Sequence, residues 1–271
     1  MSATALSLPQ IRVRRGAGRV VGAVHDTFAV AVRNLIAYKR VPQLLVFSTI
    51  QPVIFVLMFR YVFGGAIRVP GVPYVDYLMP GIFAQTVVFG SLAAAIGLAT
   101  DLKSGLLERF RSLPMARSAV LAGRTVADLA RNVFVVVLMA GVGFAVGFRI
   151  HDGVPALILG MLLVLLFGYA MAWVFATVGL WVGDPETAQA AAFPVLAPLV
   201  FASSAFVPVT SMPGWLQAFA RNQPVSVTVA AVRDLVLGTP ATSDVLHSVA
   251  WLAGIILVFA PFAVRLYRRA V

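Results

Sequence analysis

From Val154 to Val182 the chain carries no charged side chain. A helix rises about 1.5 Å per residue, so about 20 apolar residues cross the roughly 30 Å of hydrocarbon in a bilayer. A helix also satisfies its backbone N–H and C=O groups internally, which lipid demands. Five further runs read the same way: Leu44–Phe63, Tyr77–Thr100, Val120–Gly147, Ala188–Val207 and Val245–Val264. Of the 271 residues, 61% are hydrophobic and 11% charged, with mean hydropathy +0.95. Soluble domains average about 45–50% apolar and about 25% charged. A soluble fold of this length has no interior large enough for so much apolar surface, whereas lipid solvates it. The sequence therefore predicts an all-α membrane protein with six transmembrane helices. Residues 1–42 form a cytoplasmic tail with an interfacial helix, and residues 43–271 form the six-span domain.

The tail opens with an Arg-rich, Gly-bearing stretch, RVRRGAGR. Phe28, Val32, Leu35 and Ile36 then recur at helical spacing, with Asp26, Arg33, Lys39 and Arg40 on the polar positions. That pattern suits a helix lying in the headgroup plane; the alternative is the cytoplasmic start of the first span. The first long apolar run begins only near Gln43, too late for a cleavable signal. Pro42 stands at the start of the first span and Pro52 is expected to kink it. Arg60 sits at its outer end, within snorkelling reach of the interface. Pro194 and Pro198 interrupt the fifth run. Residues 208–245 are too polar to cross, yet Pro213–Ala220 and Ser226–Leu237 are amphipathic and predict short helices at the outer surface.

Charge fixes the orientation. With six spans and both ends inside, sixteen Lys and Arg residues fall on the cytoplasmic side and four (Arg68, Arg149, Arg221, Arg233) outside, with Arg60 in a span. That is the positive-inside asymmetry. The formal charge of +11 lies beside apolar runs, which points to anionic lipid and topology rather than nucleic acid. Cysteine is absent, and His25, His151 and His247 have no ligand spacing. There is no G-x-x-x-x-G-K-[ST], H-E-x-x-H or G-x-S-x-G, so the chain itself is expected to bind no cofactor and hydrolyse no ATP. No internal repeat supports an inverted-repeat transporter.

The most informative stretch is DLKSGLLERFRSLPMARSAVLAGR, Asp101–Arg124, between the second and third spans. Asp101, Leu102, Leu106, Leu107 and Phe110 share one helical side, and Pro114 ends that helix near Leu113. A short amphipathic helix held between two spans is suited to carry motion from a soluble partner into the membrane; the alternative is a basic loop that only anchors topology. Asp128 and Arg131 are three apart on a helix and able to pair just inside the cytoplasmic interface, where Arg124 is able to join them.

Three blocks carry a family resemblance. ERFRSLPMARSAVLAGR resembles the hallmark loop of ABC type-2 exporter permeases. PVTSMPGWLQAFARNQPVSVTVAAVRDLVLG resembles the stretch before the last span in the daunorubicin/doxorubicin-resistance (DrrB-like) branch, and FRYVFGGAI is similar as well. The resemblance implies a permease paired with a second permease copy, identical or different, and with separate ABC ATP-binding subunits that hold ATP and magnesium. It implies that Leu106, Glu108, Arg109, Phe110, Leu113 and Pro114 form a cytoplasmic coupling helix docked on the ATPase, with the N-terminal helix on the same partner. Trp215, Asn222, Gln223 and Pro224 would belong to partly re-entrant outer helices that cap the pathway. Phe83, Gln85, Thr86 and Phe89 of the second span, with Phe201, Ser203, Ser204 and Phe206 of the fifth, would face the pathway; packing or lipid contact is the alternative for each aromatic. The expected setting is the inner (plasma) membrane with both termini cytoplasmic. The expected cargo is an amphipathic drug, antibiotic or lipid-like molecule moved outward. An ion-coupled secondary transporter or channel would need ionisable groups at mid-membrane, which the spans scarcely supply. A membrane enzyme would need clustered His, Asp, Glu or Cys.

Overall fold

Proline and glycine set most of the helix limits in the computed structural model, which describes residues 42–67, 69–105 and 117–270. The expected N-terminal interfacial helix and the whole segment 106–116 lie outside the described residues. Helix α1 spans Pro42–Leu57 and passes through Pro52 before widening into a π-helical turn at Met58–Phe63. Helix α2 spans Tyr74–Lys103, α3 Arg117–Ala145 and α4 Gly153–Val182. Helix α5 spans Pro185–Phe201, two short helices follow (α6, Gly214–Asn222; α7, Pro224–Leu237), and α8 spans Thr242–Ala270. All regular structure among the described residues is helical.

The junction between α4 and α5 shows how a short sequence turns a long helix. Gly183 ends α4 with φ of 76°, a left-handed conformation that costs glycine nothing. Asp184 then caps α5, its carboxylate accepting the Thr187 N–H at 3.0 Å. Pro185 occupies the first helical position, where its missing N–H is no loss.

Among the described residues, four helices are long and apolar enough to cross a membrane: Tyr74–Lys103, Gly123–Ala145, Gly153–Val182 and Thr242–Arg269. The other two expected spans are shorter helices. One is Ser48–Phe63. The other is α5, whose 17 residues reach about 25 Å at 1.5 Å per residue. It runs through Pro194 and Pro198 and stops at Phe201, six residues before the expected end, where an irregular turn begins. The two amphipathic pieces, Pro213–Ala220 and Ser226–Leu237, fall on the short helices α6 and α7.

Helix α2 is the centre of the bundle. Every residue from Tyr74 to Val88 is buried, so all of its faces meet protein there. It packs most extensively on α4, and also on α5, α3, α7 and α1. Small residues allow the α2–α4 approach: Ala95 of α2 stands against Gly179 of α4, where a Cβ would run into the Ala95 carbonyl. Between membrane helices no hydrophobic effect drives association, so such close backbone contact supplies the dispersion energy instead. Helix α8 packs on α4 and α7 along one face, with Ser248, Leu252, Ala263 and Tyr267 buried. Leu246, Leu257 and Val258 on the same helix are exposed. Thr228 and Ser248 share a hydrogen bond at 3.0 Å between α7 and α8.

Candidate functional site

The α1, α2 and α3 helices enclose a cavity of about 180 Å³, lined by Ser48, Gln51 and Pro52 of α1, Gln85, Thr86, Phe89, Gly90 and Leu92 of α2, and Arg131, Asn132 and Val135 of α3. Three of the expected pathway residues, Gln85, Thr86 and Phe89, meet there. Thr86 spends its hydroxyl on the Ile82 carbonyl one turn back, at 2.7 Å. Gln85 is only 2% exposed, and its Oε1 finds no hydrogen-bond partner among the described residues. Arg131 donates to the Gly90 carbonyl at 2.5 Å and to Asn132 Oδ1 at 3.2 Å. Glycine at 90 makes room for this, since a Cβ would lie 2.8 Å from the Arg131 guanidinium and 2.9 Å from Asn132 Oδ1.

Arg131 contacts the middle of α2, a helix of 30 residues. Because α3 starts at Arg117, Arg131 lies about 21 Å along it at 1.5 Å per residue. Arg124 does not join Asp128 and Arg131. It pairs instead with Asp101 of α2. Sequence reasoning missed Ser48, Gln51 and Asn132 as cavity residues. The available signal was polar side chains at i and i+3 inside an otherwise apolar run, and an amide beside an intramembrane arginine.

The remaining expected pathway residues lie elsewhere. Phe83 is buried edge-on against Phe148, with centroids 6.2 Å apart and planes at 82°. Phe206 stacks on Phe59 at 4.5 Å and 8°, and Phe201, 48% exposed, completes an aromatic cluster with Phe55 and Phe206. That cluster joins the end of α1 to the turn after α5. Ser203 and Ser204 serve the same turn. Ser203 donates to the Val200 carbonyl at 2.6 Å, and the Ser204 N–H donates to Ser226 Oγ at 3.0 Å.

Arg233 ties this turn to α2. Its guanidinium donates to the Ser204 carbonyl at 2.8 Å and the Tyr77 carbonyl at 3.2 Å, and lies 3.6 Å from the centre of the Tyr77 ring. Tyr77 donates to the same Ser204 carbonyl at 3.2 Å, and Tyr74 to the Phe206 carbonyl at 2.9 Å. In sequence Arg233 read as a topology charge and Tyr77 as the start of the second span. Their convergence across more than a hundred residues left no local signal. Arg233→Met is expected to lower stability by about 2–3 kcal/mol, the loss of charge-assisted bonds and a cation–π contact. A thermal midpoint unchanged from wild type in detergent would refute that.

The expected outer-cap residues divide similarly. Trp215 is 77% exposed. Asn222 donates to the Ala218 carbonyl at 3.0 Å. Gln223 reaches back to the end of α5, its Nε2 donating to the Leu199 carbonyl at 2.8 Å and the Ala202 carbonyl at 3.0 Å. Pro224 then opens α7 at its first position. The Asn-Gln-Pro sequence thus terminates one helix, caps another and starts a third. At the same end of the bundle, Asp76 accepts the Arg149 backbone N–H at 2.8 Å, with His151 at 3.9 Å.

The opposite end of α2 carries two ion pairs. Asp101 pairs with Arg124 of α3, and Lys103 with Asp184 at 2.6 Å. The Lys103 ammonium, followed by the Thr187 N–H and hydroxyl, holds the Asp184 carboxyl down at about 2. The expected coupling residues Leu106, Glu108, Arg109, Phe110, Leu113 and Pro114 lie outside the described residues, in the segment these pairs flank.

An all-helical bundle with apolar helices of membrane length, polar groups gathered inside it and charge clusters at both ends is that of an integral membrane transport protein. The chain belongs to the ABC-2 type transporter family, whose pattern matches residues 25–237. It is 36% identical over 246 residues to the daunorubicin resistance ABC transporter permease protein DrrB1 of Streptomyces coeruleorubidus, covering 91% of this chain and 87% of that protein. It is 32% identical over 225 residues to the probable doxorubicin resistance ABC transporter permease protein DrrC of Mycobacterium tuberculosis (strain ATCC 25618 / H37Rv), covering 82% and 81%. A putative transport permease, ycf38, of Cyanophora paradoxa is 24% identical over 216 residues, covering 78% and 74%. The chain is accordingly the membrane-spanning permease subunit of an ABC exporter, not its ATPase.

Proposed function

We propose that this permease moves an amphipathic drug, antibiotic or lipid-like molecule out of the cell, driven by a separate ATP-binding subunit that docks on residues 106–114. ATP and magnesium bind that partner, with none bound by this chain. Two permease copies, identical or different, form the pathway in the plasma membrane, each crossing six times with both termini in the cytoplasm. The names of the relatives, which specify daunorubicin and doxorubicin resistance, support the cargo class. The contact of the α1 end with the turn after α5 supports counting these two shorter helices as spans, because both then reach the surface where α2 begins.

The observation that carries the coupling reading is the bracing of both flanks of segment 106–116. Asp101–Arg124 ties the helix before it to the helix after it, and the solvent-exposed Lys103–Asp184 pair adds a weaker link to the α4–α5 turn. A lever transmits force only when its mounts do not yield. Push from an ATPase on Glu108 and Arg109 would pass through these pairs into α2 and α3.

Co-expression with the ATP-binding subunit and measurement of ATP turnover tests this reading. Glu108→Ala and Arg109→Ala are each expected to reduce permease-dependent turnover by about 5-fold or more, the lower end of ordinary coupling energies. Turnover indifferent to both substitutions, or no complex with any ATP-binding subunit, would defeat it.

A further inference from the structure

Helix α8 turns one side to the bundle, where Ser248, Leu252, Ala263 and Tyr267 are buried. At 3.6 residues per turn, Gly254, Val258, Phe262, Arg265 and Arg269 fall within roughly 80° of arc on the other side. Val258 is 64% and Phe262 49% exposed, and Arg265 and Arg269 continue the strip, also exposed, with Arg268 beside them. The strip is thus apolar along its length and basic at its end. No acidic residue follows Asp244 in the chain. Among the described residues no carboxylate pairs with these arginines. Ala263 and Tyr267 pack with Leu98 of α2 and Leu180 of α4, which puts the arginines at the end of the bundle that flanks segment 106–116. Asp101 and Asp184 at that end are already engaged by Arg124 and Lys103.

The apolar part of the strip holds a groove of about 490 Å³, whose lining includes Trp251, Gly254, Val258 and Phe259. Gly254 leaves it open, since nothing lies within 4 Å of where a Cβ would stand. From Gly254 to Arg265 the helix rises about 16 Å at 1.5 Å per residue. One leaflet contributes about 15 Å, half of the hydrocarbon core. An acyl chain that ends at Gly254 therefore has its headgroup at Arg265 and Arg269.

Charge selects the occupant. A second copy related by an axis along the membrane normal would set α8 parallel to α8, with these arginines against their own equivalents. A zwitterionic lipid brings a cation of its own to the site. A lipid phosphate with net negative charge accepts guanidinium N–H groups in charge-assisted bonds. The helix C-terminus opposes an anion with roughly −0.5 of a charge, which three guanidiniums outweigh.

We propose that the outward face of α8 binds an anionic phospholipid, its phosphate held by Arg265 and Arg269 and one acyl chain lying along Phe262 and Val258 to Gly254. The assignment to the inner leaflet rests on the orientation proposed above; the binding itself does not, and its test uses micelles, which have no leaflets. The purified full chain in detergent is titrated separately with dioleoyl phosphatidylglycerol and dioleoyl phosphatidylcholine, and bound lipid is counted by native mass spectrometry. The phosphatidylglycerol is expected to bind about 25-fold tighter, with about fivefold lost in each of Arg265→Gln and Arg269→Gln and the preference gone in the double variant. Gly254→Leu fills the groove where space is free, so it is expected to fold normally and to weaken both lipids several-fold alike. Glycerol 3-phosphate, which has the phosphate and no chains, is expected not to displace the lipid even in large excess. Equal binding of the two lipids by wild type, an intact preference in the double variant, unchanged binding in Gly254→Leu, or full displacement by glycerol 3-phosphate would each overturn the proposal. So would a disulfide-linked dimer as the main species of Val258→Cys in membranes, because a second copy would then cover this face. None of these results bears on ATPase coupling, and loss of coupling alone would leave the lipid site standing.

Discussion

Gly179→Ala is expected to remove most of the folded protein from the membrane, whereas Gly254→Ala is expected to be silent. Both changes add one methyl group to a glycine inside a helix, where alanine is intrinsically better by about 1 kcal/mol. Propensity alone would make both stabilising. The difference lies in what the methyl meets. At Gly179 it would enter the space of the Ala95 carbonyl oxygen, carbon and Cα, all of them backbone in the middle of α2. Neither helix has a side chain to rotate away, so the α2–α4 crossing must open. At Gly254 nothing lies within 4 Å. Overpacking commonly costs about 1–3 kcal/mol, and the α2–α4 contact is the most extensive in the bundle, so about 3 kcal/mol or more is expected here. Size-exclusion profiles of fluorescently tagged variants in mild detergent measure the effect. A monodisperse Gly179→Ala peak of wild-type height would contradict this account of the crossing.

The helical, membrane-spanning character was legible because it rests on run length and on the near absence of charge, both of which survive without tertiary information. The run Val154–Val182 maps onto α4 within a residue at its start. Turn chemistry was legible too, since Gly183, Asp184 and Pro185 act within a few residues of one another. Helix ends defined by distant groups were not. Helix α5 stops at Phe201 because Gln223, 21 and 24 residues away, takes the last carbonyls. The cavity was half legible. Gln85 and Thr86 were named through the family resemblance, but Ser48, Gln51 and Asn132 became relevant only once three helices converged. The serines at 203 and 204 were named as pathway residues through the resemblance alone; backbone groups in a buried turn demand partners, and these hydroxyls supply them.

Gly97→Ala tests the bracing of the coupling segment without disturbing the fold. The Arg124 guanidinium reaches Asp101 by lying directly over Gly97, where a Cβ would occupy the position of its Nη2 and Cζ atoms. Here the obstructed group is the far end of a flexible side chain, unlike the backbone at Gly179. Arg124 therefore yields, at small cost to the helices, and the pair with Asp101 breaks. Both partners are mostly but not wholly buried, with side-chain exposures of 22% and 16%, so solvent takes over part of the lost interaction. Folded protein is expected at wild-type abundance, helped by the better helix propensity of alanine. ATP turnover in the complex with the ATP-binding subunit is expected to fall about 5-fold or more, because α2 and α3 then answer a push on segment 106–116 separately. Arg124→Gln is expected to cause the same loss, and the double substitution no further loss, since both remove one interaction. Additive losses would mean that Gly97 and Arg124 act through different contacts, and full coupling in all three variants would show that the brace plays no part in transmission.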